Sequence, residues 1–496
     1  MRKMARSHFQ AWNRRKMAPS HFSLPSVCVI GAGSCGLPVI KALRDKGLRV
    51  TCFERTPHIG GIWCIDNKPY GATAAYESLH INTDTRMMEY RDLPMPPEIP
   101  DYPGHEDIYR YFRSYADRFG LWPHIELGTT VTHARRREDG VWQITTDRGG
   151  QHEFDALVVA NGHHWEPRWP EPYPGQFDGL QIHSHAYLNP DSPAPLRGKR
   201  VMVVGFGNSA MDIACELGQR TVSERCLLSV RRMSWVMPKW VFGRPVTRQF
   251  VDMPHWIPWW IGAAAVGLLA RIAFGRPTDY GLPQPDHRWF QSHPTISQEF
   301  YSRIGHGDVI VKPGIREFAG REVRFVDGST AAVDAIVWCT GYKIAFPFFD
   351  DDFLPVRDNY VPLWMHTMSP GIPNLFFVGL YQPLGSIMQP AELQAKLIAG
   401  YLCGEVGLPD QARMRTEIER EHAATRRRYV ASPRHTMQVD FAPFLHRLRQ
   451  LHERGEKLAR RRGNALPVPP RANFRGDANF RGDAPLFHTE KGSVPS

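Results

Sequence analysis

The sequence predicts an α/β fold with two dinucleotide-binding (Rossmann-like) domains, the second inserted into the first. At 27–54 and again at 201–217, an apolar strand runs into a glycine-rich turn and an amphipathic helix. Two similar octets, D-A-[LI]-V-x-[AC]-[NT]-G at 155–162 and 334–341, each describe a buried strand that ends in glycine. Strands that alternate with helices are typical of parallel sheets covered on both faces. We expect the two octets to bracket the inserted domain.

The first glycine turn has the spacing that binds the pyrophosphate of a dinucleotide. The first glycine of G-x-G-x-x-G permits a sharp turn, the second lets a phosphate approach bare backbone, and the third lets helix and strand pack closely. An acid ends the next strand, where a carboxylate accepts hydrogen bonds from a ribose. The alternative is a glycine turn with a structural role alone. The candidate contacts are Gly31, Ala32, Gly33, Ser34, Cys35, Gly36 and Glu54.

Two short segments downstream of this acid carry residues suited to a flat ring system. Two consecutive glycines would let the backbone lie against such a ring, and the tryptophan that follows would either cover the ring or pack in the core. Farther on, an asparagine and a threonine interrupt an apolar stretch, where the asparagine could also be a simple turn residue. The candidate contacts here are Gly61, Ile62, Trp63, Asn82 and Thr83.

The second glycine turn lies inside the insert and differs from the first in its charge. It reads G-x-G-x-x-A, and the strand that follows ends in two arginines where the first unit has an acid. Guanidinium groups pair bidentately with phosphate, so this unit should prefer the 2′-phosphate of NADPH to NADH. The alternative is two solvated arginines at a strand end. The candidate contacts are Gly205, Gly207, Asn208, Ser209, Ala210, Arg231 and Arg232.

Composition argues against several classes of protein. The 496 residues are 42% hydrophobic and 22% charged, as in a globular protein. The formal net charge is +11, but the densest basic runs lie towards the ends, so we expect no nucleic-acid partner. The eight cysteines form no C-x-x-C pair, which argues against a dithiol redox centre, a zinc site and a disulfide framework. We expect no metal and a cytoplasmic location.

One long apolar stretch, at 253–270, bears on membrane contact. His255 and Pro258 interrupt its first half, so a core or interfacial helix fits better than a membrane span. Its tryptophans suit peripheral contact with a membrane surface.

The sequence does not indicate an oligomeric state. The expected organisation is a disordered basic extension at 1–24, the first part of the first domain at 25–163, the inserted domain at 164–332 with an apolar segment near 253–275, the second part of the first domain at 333–403, a charged helical region at 404–462 and a disordered tail at 463–496.

The residues between the two glycine turns carry a family motif. Phe177, Gly179, His183 and Tyr187 fit F-x-G-x-x-x-H-x-x-x-[YF]. In this motif, and over nearly everything from 27 to about 402, the chain resembles flavin-containing monooxygenases. The resemblance includes GGIW at 60–63, HPTIS at 293–297 and CTGY at 339–342.

The resemblance implies roles that the residues alone leave open. It implies FAD in the first unit and NADPH in the second, with a hydride passing between them. It implies that His183 couples cofactor binding to chemistry, although a packed or capping histidine is the alternative, and that Gly341 contacts a cofactor. It also implies that Asn82 is catalytic, because the matching asparagine lies over the flavin and hydrogen-bonds the peroxide and bound NADP⁺.

The implied activity is an NADPH- and FAD-dependent monooxygenation by O2. In this family a C4a-hydroperoxyflavin forms, and a soft nucleophile such as dimethylaniline or a sulfide takes its distal oxygen. A tyrosine at 187 argues against a Baeyer–Villiger enzyme, because the motif of those enzymes usually ends in tryptophan. Oxygenation of ketones is nevertheless the main alternative. A flavoprotein that oxidises NADPH and passes electrons to a protein partner or to oxygen would share both turns without needing Asn82.

Overall fold

A computed structural model describes residues 24–248, 256–432 and 435–467. Apart from 24 and 463–467, the expected terminal extensions lie outside the described residues. Short 3-10 helices span Gly61–Trp63, Ile65–Tyr70, Trp122–His124 and Pro277–Tyr280. The α-helices of the described residues are α1 (Gly36–Asp45), α2 (Thr85–Met88), α3 (His105–Arg118), α4 (Asn208–Leu217), α5 (Trp259–Phe274), α6 (Phe300–Gly305), α7 (Met388–Leu402), α8 (Gln411–Arg428) and α9 (Phe441–Arg461).

The strands of the described residues are two to six residues long. In chain order they are β1 (Ser26–Ile30), β2 (Arg49–Glu54), β3 (Ile125–Leu127), β4 (Val131–Arg136), β5 (Trp142–Thr146), β6 (Gln151–Phe154), β7 (Ala156–Val159), β8 (Glu166–Pro167), β9 (Leu180–His183), β10 (Arg200–Val204), β11 (Arg225–Ser229), β12 (Val236–Met237), β13 (Trp240–Val241), β14 (Arg244–Pro245), β15 (Thr295–Ile296), β16 (Val309–Lys312), β17 (Ile315–Ala319), β18 (Glu322–Phe325), β19 (Thr330–Ala332), β20 (Ala335–Trp338), β21 (Tyr342–Lys343), β22 (Leu375–Phe377), β23 (Gln382–Leu384) and β24 (Gln438–Asp440).

Two parallel sheets, each of five strands, organise the described chain, and the predicted α/β fold with two Rossmann-like units is confirmed. The first has the order β22-β7-β1-β2-β3 and the second the order β16-β11-β10-β20-β9. Their central strands β1 and β10 carry continuous apolar runs that are almost entirely buried, because helices or loops cover both faces of a parallel sheet. Each central strand leads into one of the two glycine turns.

The strand of the second octet joins a different sheet from the one expected. The sequence predicts that the chain returns to the first domain at 333, but β20 pairs with β10, with Val201 opposite Ala335. The chain returns to the first sheet only at β22, which pairs with β7. The boundary at 332/333 is therefore wrong. The octets are alike because each strand lies beside the strand that feeds its own glycine turn, so local similarity reports equivalent places in two sheets.

The two crossings between the sheets meet in one ribbon. After leaving the first sheet the chain forms β8, and on its way back it forms β21, which pairs antiparallel with β8. Tyr342 lies opposite Pro167 in this pair. The ribbon therefore ties together the two segments that connect the sheets. The remaining sheets are β4-β5-β6, β17-β18-β19, β12-β15, β13-β14 and β23-β24.

The charged C-terminal region is partly core. Helix α9 buries Phe441, Phe444, Leu445 and Leu448, which recur at the spacing of one helical face. It packs on α7, which in turn packs on α1. Strand β24 extends β23 in parallel pairing. Because the outer face of α9 is highly charged, the composition of the region does not reveal its apolar face.

Residues 259–270 of the apolar stretch lie in α5, a helix of 16 residues that continues to Phe274. None of the helices in the described ranges has the length and apolarity that crossing a bilayer requires. Residues 253–255 of the stretch lie outside the described residues.

Candidate active site between the two sheets

One large cleft lies at the carboxyl ends of the parallel strands. Its volume is about 2100 Å³, and both glycine turns line it. Residues at the ends of β1, β2 and β7 meet residues that follow β10, β11 and β20. Open α/β sheets bind dinucleotides at this edge. All the sequence candidates line the cleft except Ala32, Gly36 and His183.

Steric contacts explain the glycines of the first turn. Gly31 has a φ of +101°, and a Cβ there would lie 2.7 Å from the carbonyl oxygen of Ala160. A Cβ on Gly36 would lie 1.9 Å from the carbonyl oxygen of Gly31. Gly31 thus permits the sharp turn, and Gly36 lets the start of α1 lie against the turn. Gly33 faces Gly61, whose Cα would be 3.6 Å from an added Cβ, so two bare stretches of backbone meet in the cleft.

Glu54 holds the turn as well as lining the cleft. Its carboxylate accepts hydrogen bonds from the backbone N–H of Ala32 at 2.8 Å and from the backbone N–H and hydroxyl of Thr56 at 3.0 and 2.7 Å. Ala32 therefore donates inward to this carboxylate. A carboxylate has about four acceptor positions, so Glu54 can still accept from a ribose hydroxyl.

The segment after Glu54 forms a platform beside the turn. The N–H of Gly60 donates to the carbonyl of Ala32 at 3.0 Å. Gly60 has a φ of +98°, and a Cβ there would lie 3.1 Å from the ring of Tyr109. Trp63 is half-buried and lines the cleft, so the interpretation of Trp63 as a core residue is wrong.

Asn82 presents an unsatisfied side-chain oxygen in the cleft. Its Oδ1 is buried and accepts no hydrogen bond from the described residues. Two residues on, the fully buried Asp84 accepts hydrogen bonds from the hydroxyl of Thr247 at 2.9 Å and from the N–H of Arg86 at 3.1 Å. A buried acceptor without a donor costs about 1–3 kcal/mol. The chain is thus anchored next to an oxygen that fits a donor from a bound group.

The second turn presents a free helix N-terminus to the cleft. Gly205 has a φ of +134°, and a Cβ there would lie 2.5 Å from the carbonyl oxygen of Cys339. Helix α4 begins directly after the extended Gly207, and no side chain caps it. The Oδ1 of Asn208 accepts a hydrogen bond from the N–H of Ile296 at 3.0 Å, which fixes this end of the helix. Uncapped N–H groups and the positive end of the helix dipole favour phosphate.

The two arginines after β11 differ in their partners. Both line the cleft. The Nε of Arg232 lies 2.9 Å from Oδ2 of Asp286. Hydrogen bonds from Arg232 and His287 lower the pKa of Asp286 to about 2, so this carboxylate is charged at neutral pH. Arg231 is exposed, and no carboxylate of the described residues pairs with it.

His183 lies behind the cleft wall. Its side chain is buried, and Nδ1 accepts a hydrogen bond from the N–H of His185 at 3.1 Å. The imidazole packs against Trp169 and Tyr342, each with a ring-centre distance of 5.6 Å. Burial, followed by the nearby His185, lowers its pKa to about 4, so it is neutral at neutral pH. These contacts favour the interpretation of a packed histidine next to the crossing ribbon.

The comparison with protein families identifies the chain. The model of the family described as flavin-binding monooxygenase-like matches residues 25–456. The chain belongs to this family. It is 36% identical to Flavin-containing monooxygenase 5 of Oryctolagus cuniculus over 436 residues, which cover 84% of this chain and 80% of the relative. It is 33% identical to Dimethylaniline monooxygenase (N-oxide-forming) 2 of the same species over 446 residues, covering 85% and 81%.

Solved structures of flavin monooxygenases have the same fold. S-allyl-L-cysteine S-oxygenase from Allium sativum matches with a TM-score of 0.64 and 25% identity, over 88% of this chain and 92% of that one. The open form of cyclohexanone monooxygenase matches with a TM-score of 0.65 and 19% identity, over 87% and 98%. The protein is therefore an FAD- and NADPH-dependent monooxygenase that uses O2 and a small-molecule substrate.

The residues of the cleft fit both cofactors of this monooxygenase. Bare backbone at Gly33 and Gly61 leaves room for a pyrophosphate, and the buried oxygen of Asn82 fits a donor from a bound cofactor. The uncapped start of α4 and the unpaired Arg231 fit the phosphates of NADPH.

Two parts of the cleft wall escaped the sequence reasoning. His163 and His164 follow β7 and line the cleft, and burial lowers the pKa of His163 to about 4. Two polar residues after a strand-ending glycine were a usable signal. The second part comes from the C-terminal region, which lines the cleft with residues such as His435 and Asp440. It has no local signal, because it reaches the cleft through the pairing of β24 with β23.

Proposed function

We propose that FAD binds at the first glycine turn, NADPH at the second, and that Asn82 is the catalytic amide for oxygenation of amines and sulfides. The observation that carries this proposal is the buried, unsatisfied Oδ1 of Asn82 in a cleft that both turns line. Such an atom is costly unless a ligand supplies its partner.

The chain's residues supply orientation and shielding for this chemistry. When bound, the flavin supplies the activation of O2 with electrons that NADPH delivers. The side-chain amide of Asn82 offers a donor and an acceptor, neither of which ionises near neutral pH. It can therefore hydrogen-bond a reactive group without protonating it. The half-buried Trp63 and the buried Met87 line the same cleft and limit access of water.

The names of relatives support soft nucleophiles as substrates. One relative is named for forming an N-oxide of dimethylaniline, and the structural match from Allium sativum is named for oxygenating sulfur. The likeness to cyclohexanone monooxygenase, at 19% identity, supports the fold and does not indicate a substrate.

Product yield per NADPH tests the role of Asn82. The FAD-loaded enzyme is assayed with dimethylaniline, methyl phenyl sulfide and cyclohexanone, while NADPH loss, product and peroxide are measured. We expect N-oxide and sulfoxide from the wild type. Asn82→Ala should keep oxidising NADPH but lose about tenfold or more of the product per NADPH, with peroxide in its place.

Asn67→Ala is the matched control for this experiment. Asn67 is also buried with an unpartnered Oδ1, but it does not line the cleft. Truncating it should cost stability and leave the product yield per NADPH unchanged. Unchanged yield in Asn82→Ala would refute its role. Peroxide without product in the wild type would favour the oxidase or electron-transfer alternative, and a lactone from cyclohexanone would favour the ketone alternative.

We also propose that the face around α5 contacts an anionic membrane surface. Trp260, Leu268 and Ile272 on this helix are 59%, 61% and 59% exposed, and Trp256 just before it is 73% exposed. The exposed Arg271 adds positive charge. Trp256 also lines the cleft, so an apolar substrate could reach the cleft from the lipid.

The eight cysteines are all free thiols, which supports a cytoplasmic location.

Vesicle binding tests this surface. We expect the wild type to sediment with vesicles that contain phosphatidylserine, and Leu268→Ser with Ile272→Ser to lose most of that binding. Val326→Ser is the control, since Val326 is 63% exposed in the turn between β18 and β19. Equal sedimentation of both variants would contradict the assignment.

A further inference from the structure

Hydrogen bonds between the two domains hold one side of the cleft. None of these bonds has a part in the cofactor binding or oxygenation proposed above. The hydroxyl of Tyr76, before Asn82 in the first domain, donates to Oδ2 of Asp212 at 2.6 Å. The ammonium of Lys68 donates to the carbonyl oxygens of His185 and Tyr187 at 2.9 and 3.0 Å. Lys68 thus binds the linker that carries the family motif, and Tyr76 binds helix α4.

Glu216 receives donors from both sides of this contact. Its Oε2 accepts from the hydroxyl of Ser78 at 2.8 Å and from the hydroxyl of Tyr187 at 3.0 Å. Asp212 and Glu216 lie four residues apart on α4, so they point to the same side. Burial raises the pKa of Glu216, and it raises the pKa of Asp212 to about 6. These half-buried carboxylates therefore depend on their hydroxyl donors.

The contact joins two functional parts of the cleft. Helix α4 starts at the second glycine turn, so a shift of this helix moves the end that faces the phosphates. Ser78 lies four residues before Asn82, and the bonds between Asp84 and Thr247 hold the other side of that asparagine. The segment that carries Asn82 is thereby tied to α4 at one end and anchored at the other.

We propose that Tyr76, Ser78 and Tyr187, with the α4 carboxylates Asp212 and Glu216, form an interdomain latch that positions the NADPH-binding turn against Asn82. The latch rests on the cofactor placement proposed above. Of its members only Tyr76 lines the cleft, so the latch acts by positioning. It assigns a task to the last residue of the family motif, Tyr187, whose side chain is fully buried.

Binding of NADP⁺ to the FAD-loaded protein tests the latch without turnover. Isothermal titration gives the Kd, and flavin absorbance and the thermal midpoint report FAD content and stability. Ser78→Ala and Tyr187→Phe should each weaken NADP⁺ binding about fivefold to tenfold and keep FAD. Ser26→Ala is the matched control, because the Ser26 hydroxyl also donates to a carboxylate, Asp155, at 2.8 Å, within the first sheet. It should keep the Kd within about twofold.

A double-mutant cycle separates positioning from general destabilisation. In a Glu216→Ala background, Ser78→Ala should add little, because the acceptor is already gone. Glu216→Gln, which keeps an acceptor oxygen, should recover part of the affinity. Additive effects, or a Kd in Ser78→Ala equal to that in Ser26→Ala, would overturn the latch. Failure of the cofactor placement would show differently, as wild-type NADP⁺ affinity in Gly205→Ala, whose Cβ would meet the Cys339 carbonyl at 2.5 Å.

Discussion

The preference for NADPH over NADH should depend on Arg231 far more than on Arg232. Arg231 is exposed in the cleft and pairs with no carboxylate of the described chain. Arg232 lies 2.9 Å from the charged Asp286 and would have to leave it to bind a phosphate. The two neighbouring arginines therefore make a matched pair for substitution by alanine.

The expected magnitude follows from the interaction that each variant removes. A hydrogen bond to a charged group contributes about 1.5–3 kcal/mol, which corresponds to about 10- to 150-fold in an equilibrium constant. Arg231→Ala should lower kcat/KM for NADPH by this factor and leave kcat/KM for NADH unchanged, because NADH lacks the 2′-phosphate. Arg232→Ala should cost up to about fivefold less than Arg231→Ala, because the exposed pair that Arg232 must break with Asp286 offsets up to about 1 kcal/mol of its contact with the phosphate.

Initial rates of flavin reduction with each cofactor, at one ionic strength, measure these ratios. Asp286→Ala should release Arg232 and leave NADPH binding equal or stronger. An unchanged NADPH-to-NADH ratio in Arg231→Ala would refute the reasoning, and so would a larger loss in Arg232→Ala.

Two further predictions concern the first turn and the motif histidine. Gly36→Ala should lose most of its bound FAD, measured as flavin absorbance per protein, because the new Cβ would lie 1.9 Å from the Gly31 oxygen. Gly305→Ala, a helical glycine with open space, should keep its FAD. Burial depresses the pKa of His183 from 6.5 to about 4, so the unfolded chain binds the proton first as pH falls. Stability should drop below about pH 6.5, by about 2 kcal/mol near pH 5. His183→Gln should flatten that fall in the thermal midpoint, and an equal slope in both proteins would disprove the assignment.

Much of the cleft could be predicted from the sequence because its parts are local. A glycine turn between a strand and a helix is specified within ten residues, by steric limits at particular positions, and Gly31 and Gly36 show those limits directly. Since the strands of a parallel sheet end at one edge, residues after β1, β2 and β10 are expected to face a common cleft.

Contacts between distant segments were not open to the same reasoning. The strand at 335–338 looks like the strand at 156–159, and only the pairing with β10 shows that it belongs to the second sheet. The different partners of Arg231 and Arg232 depend on Asp286, more than fifty residues away.

The sequence by itself determined two strand–turn–helix units, their cofactor class and the family motif, because local sterics and charge set each of these. The tertiary structure decided which sheet each apolar strand joins, that the C-terminal region helps to wall the cleft, and that Ser78 and Tyr187 share one carboxylate of α4. Burial drives those choices through surfaces that are far apart in the chain, and a buried polar group gains its partner only when those surfaces pack.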